Sequence, residues 1–104
     1  MFHPATKITI IAERLLQRRL ITTIEEAGAS GYTIVDGSGK GEHLIRSGDK
    51  AALIKAFSII RMEAVFADEA KARTLAADIA ETYFNEYSGI VYISPIEVIR
   101  KEKF

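Results

Sequence analysis

The first chemistry legible in this chain lies in five residues, Gly37-Ser38-Gly39-Lys40-Gly41. Glycines this closely spaced let backbone N–H groups close on an anion, because no Cβ stands in the way. Lys40 sets an ammonium beside them. Arg46, five residues after Gly41, adds the guanidinium fork best shaped for a phosphate. The run is not a Walker A loop: Lys40 is followed by Gly41 rather than Ser or Thr, and Ile34 stands where the first glycine would be. Two readings remain open, a phosphate cradle and the plain hinge of a long loop. His43 has no second metal ligand at recognisable spacing, so it reads as a polar loop residue or an auxiliary phosphate donor.

A second candidate is the turn Tyr87-Ser88-Gly89-Ile90. It reads either as a simple stop between helix and strand or as a place where Gly89 lets backbone groups approach a base or ribose. In the second case Ser88 would hydrogen-bond a sugar hydroxyl. No catalytic set accompanies these features. The chain has two histidines, of which His3 falls in what reads as a frayed terminus, and no HExxH or CxxC motif. Glu13, Glu63 and Glu86 are single carboxylates with ordinary strand-end or helix-end explanations. The expectation is binding without catalysis, with slow ATP or ADP hydrolysis as the enzymatic alternative.

These residues need elements to position them. Lys7–Ala12 is short, β-branched and apolar, as a buried strand should be. Between Glu13 and Ala27 the period changes: Leu16, Leu20, Ile24 and Ala27 fall at helical spacing, and Gly28 stands where a helix end takes a left-handed residue. Tyr32–Val35 reads as a second strand running into the glycines. A loop of about twenty residues, 37–57, follows, far longer than the usual median of about 4–6. Within it Asp49 to Phe57 has helical spacing, with Leu53, Ile54 and Phe57 apolar, and could fold on a partner. Ser58–Val65 predicts a third strand. Asp68 caps a helix whose apolar face is Ala72, Leu75, Ala76, Ile79, Ala80 and Tyr83. Ile90–Ile93 predicts a fourth strand closed by Pro95, with Ile96–Ile99 as a short edge strand. The order β-α-β-β-α-β is the split βαβ pattern of an α+β, ferredoxin-like two-layer sandwich. Thr9, Ile11, Ile59, Arg61, Val91 and Ile93 are assigned to the face away from the helices. That face is too apolar for solvent and predicts self-association.

Composition narrows the function classes. The chain has 104 residues, one domain by length, with 48% hydrophobic and 27% charged residues. Fourteen Lys+Arg balance fourteen Asp+Glu, so no global field favours nucleic acid. With no cysteines, disulfides and cysteine–zinc sites are excluded. No apolar run approaches the ~20 residues of a spanning helix, and no leader is evident, so a cytoplasmic protein is expected.

The residues also resemble a known family. Lys7–Arg46 and Tyr83–Ile93 are similar to PII-like proteins of the SbtB type. The most specific stretches are Gly28-Ala29-Ser30-Gly31-Tyr32-Thr33, then Gly39-Lys40-Gly41 with Arg46, and then Tyr83–Gly89. The resemblance implies a PII-like homotrimer with an adenine nucleotide (cAMP, AMP, ADP or ATP) as effector in each intersubunit cleft and no tightly bound cofactor. It makes residues 37–57 the T-loop, which signals carbon or energy status to a partner, and 85–90 the B-loop. It places Gly39, Lys40, Gly41 and Arg46 at the phosphates, Thr33 near the base in the neighbouring subunit, and Tyr87, Ser88, Gly89 and Ile90 in the B-loop. Arg100 would reach the cleft from the C-terminal segment. The implied partner is the bicarbonate transporter SbtA, which would bring a cytoplasmic protein to the inner membrane.

Several residues depart from the relatives. His43 replaces an arginine common in the SbtB type. The chain stops at Phe104 without the cysteine-bearing C-terminal loop of some members, so their redox-linked hydrolysis is not expected. The T-loop lacks the glutamine and tyrosine of nitrogen-regulatory PII proteins, and Ile90 stands where those have lysine. A nitrogen-regulatory protein and a CutA-like trimer without nucleotide are the alternatives.

Overall fold

The computed structural model describes residues 1–29, 31–37 and 58–99. Four strands, β1 (His3–Glu13), β2 (Tyr32–Gly37), β3 (Ile59–Phe66) and β4 (Gly89–Val98), form one antiparallel sheet in the order β2-β3-β1-β4. Helices α1 (Gln17–Glu26) and α2 (Glu69–Tyr83) connect β1 to β2 and β3 to β4. This is the expected split βαβ sandwich.

The alternation of the central strands sets the core. Ile8, Ile10 and Ala12 of β1 and Ile60, Met62, Ala64 and Phe66 of β3 are buried on one sheet face. Leu20 and Ile24 of α1 and Ala72, Leu75, Ile79 and Tyr83 of α2 join them in one cluster. Thr23 and Tyr83 tie the helices together through their hydroxyls at 3.0 Å. Asp68 caps α2 as its sequence predicts, its carboxylate accepting from Ala70 N at 2.9 Å and Lys71 N at 3.3 Å. Gly28 ends α1 with φ +94°, the left-handed conformation that a Cβ would strain.

The strands are longer than the sequence suggests. β1 starts at His3, which is not frayed but pairs with Val98. Pro95 does not close the fourth strand. It pairs with Thr6 inside β4, and no separate edge strand exists over Ile96–Ile99 among the described residues. On an edge strand every second N–H points away from the ladder, so proline there costs no sheet hydrogen bond. The first helix does not begin at Glu13 either. Glu13 is still β-strand, Arg14–Leu16 form a 3₁₀ turn, and Arg14 N donates to Ser58 O at 2.7 Å, which keeps strand pairing going one residue further. Ala80, assigned to the apolar face of the second helix, is exposed.

The face away from the helices is also corrected. The register pairs Ile8 with Ile93 and Ile10 with Val91, so Val91 and Ile93 belong to the helix side and pack against the core. Ile90 and Tyr92, opposite Ile11 and Thr9, take their places on the open face. Val35 joins them from β2, opposite Arg61. Val35, Ile90 and Tyr92 are all exposed, with Ile11, Ile59 and Val65 half-buried between them. Thr9, by contrast, is fully buried at the centre of this face.

Candidate functional site

Both loops singled out in the sequence are rooted at the same end of the sheet. Gly37, the last residue of β2, pairs with Ile59, and Ile59 pairs with Glu13. Beyond Glu13 comes Ser88, next to the Ala12–Gly89 pair. The row Gly37–Ile59–Glu13–Ser88 crosses the whole sheet, a width of three interstrand steps or roughly 14 Å.

Two neighbouring charged residues tie this row together. Arg14 Nε donates to Ser58 Oγ at 2.9 Å, and its Nη2 lies 2.7 Å from Asp36 Oδ1. The guanidinium thus joins the chain entering residues 38–57 to the chain leaving them. Glu13, wholly buried, accepts a short hydrogen bond from the Ser88 amide on the other side. The Arg14–Asp36 pair is partly exposed and adds little net stability, so its value is geometric.

The sequence-predicted site residues divide as follows. Ser88 lies in the row, and Gly89 directly follows it. Gly39, Lys40, Gly41 and Arg46, the helical run Asp49 to Phe57, and Arg100 lie outside the described residues. Thr33 is exposed on the open face opposite Glu63, about 13 Å back along β2 from Gly37. It does not lie beside the loop roots of its own protomer. Ile90 is exposed on the open face.

Tyr87 turns the other way. Its ring packs partly buried against the core, with the Arg19 guanidinium carbon 5.5 Å from its centroid and 5.8 Å from that of Tyr83. The hydrogen bond to Tyr87 pushes the Arg19 pKa further up, so this cap stays cationic at any working pH.

Gly89 has a packing reason that the sequence did not suggest. A Cβ built there would stand 2.2 Å from Phe84 Cε1, so the ring occupies the volume a side chain would need. Gly89→Val must displace a ring seated against the core. We expect a loss of about 1–3 kcal/mol in urea unfolding, together with a shifted 85–90 turn. Unchanged stability would show that Phe84 yields freely.

Sequence reasoning misses Glu13 and Arg14. Glu13 reads as an ordinary strand-end carboxylate, and Arg14 falls inside the expected helix. The available signal is a charged pair set directly after the apolar run Ile8–Ala12, where the hydrophobic period changes. Among the described residues no group of histidine and carboxylate side chains could hold a metal, and no helix is long and apolar enough to cross a membrane.

A split βαβ sheet of order β2-β3-β1-β4, with two loop roots sharing one sheet end, defines a ferredoxin-like protein of the PII architecture. The family model of nitrogen regulatory protein P-II matches residues 5–103, and the chain belongs to that family. Among solved structures, it is 35% identical to a candidate PII-like signaling protein from Thermus thermophilus, with TM-score 0.80 over 99% of this chain and 97% of that one. It is 30% identical to CPII from Thiomonas intermedia K12, solved with ADP and bicarbonate, with TM-score 0.79 over 100% of this chain and 97% of that one. GlnK of B. subtilis, solved with ATP, shares the fold at 12% identity, with TM-score 0.58 over 89% of this chain and 82% of that one.

Proposed function

We propose that this protein is a nucleotide-sensing regulator. It binds an adenine nucleotide (cAMP, AMP, ADP or ATP) between neighbouring copies of a homotrimer and reports carbon or energy status through residues 37–57. One observation carries the reading. The roots of the long loop and of the 85–90 turn share one end of the sheet in a chain 30% identical, along its whole length, to a protein solved with ADP and bicarbonate. The phosphates sit on Gly39, Lys40, Gly41 and Arg46. Ser88, Gly89 and Ile90 line the same cleft with Tyr87 behind them, and Thr33 enters from the neighbour. The apolar open face supports the trimer, since a contiguous patch of this kind marks an association surface. The protein acts by binding, without turnover.

Its partner is a bicarbonate transporter of the SbtA type, engaged by the loop at the inner membrane. The test is co-purification of that transporter with the full chain and with a chain lacking residues 48–55, with and without nucleotide. Capture by the full chain that changes with nucleotide, and disappears on deletion, is expected. Equal capture by both chains contradicts the loop's role.

A further inference from the structure

Glu13 is the one acidic side chain in the buried set, with no exposed surface. Its Oε2 accepts from the Ser88 amide, while its Oε1, equally buried, has no hydrogen-bond partner. A buried acceptor without a donor costs on the order of 1–3 kcal/mol, and more when charged. Nothing else described in the protomer relieves it. The adjacent cation, Arg14, is committed to Asp36 and Ser58, and no described ion pair includes Glu13.

Position indicates where the missing donor comes from. By strand alternation Glu13 stands on the open face of β1, the side that carries Thr9 and Ile11. Along the sheet end it lies between the root of residues 38–57 and the 85–90 turn. A carboxylate there repels phosphate and accepts from a neutral O–H. The ribose is the part of a nucleotide that offers neutral hydroxyls.

We propose that Glu13 reads the ribose of the bound nucleotide, its Oε1 accepting a hydrogen bond from a ribose hydroxyl. The inference rests on the nucleotide-binding reading above and adds a residue and a ligand group to it. The carboxylate has no exposed surface in the protomer, so contact requires a local rearrangement around it as the ligand arrives. The carboxylate is already dehydrated, so the hydrogen bond forms at a site of low local dielectric, where it is stronger than in water. Ser88 N–H fixes the other oxygen, which holds the side chain in place for the hydroxyl.

The test is calorimetry with ADP, 2′-deoxy-ADP, 3′-deoxy-ADP and inosine diphosphate on the wild-type chain and on Glu13→Gln. Glutamine keeps an oxygen for Ser88 N–H but offers an amide where the free oxygen was. The wild-type chain should prefer ADP over one deoxy analogue by about tenfold or more, the scale of a hydrogen bond to a charged group. Glu13→Gln should bind ADP correspondingly more weakly and lose that preference. Glu13→Asp, which withdraws the charge by one methylene, should lose it too and serves if the glutamine variant does not fold. The inference is overturned if wild-type binds all three adenine diphosphates alike, or if both variants keep the wild-type preference. A change in discrimination against inosine diphosphate alone would move the contact to the adenine amine and also overturn it. No binding of any adenine nucleotide by the wild-type chain would remove the nucleotide reading itself, and this inference with it. Intact ADP binding without ribose discrimination removes only this inference.

Discussion

Tyr92→Asp should reduce the protein from three copies to one 11.5 kDa chain in light scattering. Tyr92 sits on β4 opposite Thr9, in the open face shared with Val35, Ile90 and Ile11. In the proposed trimer that face is covered. A carboxylate buried there without a partner costs several kcal/mol per ion, and every copy carries one. The single chain should stay folded, because Tyr92 lies outside the core cluster and is 45% exposed in the isolated protomer. Far-ultraviolet circular dichroism should therefore change little while the mass falls. Nucleotide binding should fall with it, since the proposed cleft lies between copies and takes Thr33 from a neighbour. An unchanged mass would show that the open face is not where copies meet.

The second large effect concerns the loop cations. Replacing Lys40 and Arg46 together with alanine should weaken adenine nucleotide binding by about a hundredfold or more. In the proposed site each supplies charge-assisted contacts to phosphate, and a hydrogen bond to a charged group is worth about 1.5–3 kcal/mol. Ligands with more phosphates should lose most. Added salt should weaken wild-type binding and affect the double variant less, because screening acts on the charges removed. A loss smaller than about threefold would mean that the glycine run is a hinge and not a phosphate cradle.

The architecture was legible because it rests on period. The β-branched apolar run Lys7–Ala12, the four-residue recurrence Leu16-Leu20-Ile24, the Asp68 cap and Gly28 at a helix end each have a local cause, and each is found in the structure. The errors lie where pairing overrides local propensity. Pro95 reads as a stop until β4 is known to be an edge strand. Val91 and Ile93 cannot be assigned a face until the register with Ile10 and Ile8 is known.

At the site, sequence could point to Ser88 and Gly89 as turn residues. It could not show that the Ser88 amide is held by Glu13, a residue 75 positions earlier, or that Gly89 makes room for Phe84. Both are contacts between segments, and nothing in either segment alone announces them. Arg14 was hidden in the same way, its partners Asp36 and Ser58 being set by the meeting of β1, β2 and β3.

The most direct measurement is isothermal titration of the protein, its mass fixed by light scattering, with cAMP, AMP, ADP and ATP, with and without magnesium and bicarbonate. Micromolar binding, about −8 kcal/mol, at one site per subunit of a trimer is the predicted result. The order of affinities would name the signal. A folded trimer that takes up none of the four would contradict nucleotide sensing and leave a structural assembly with the same fold.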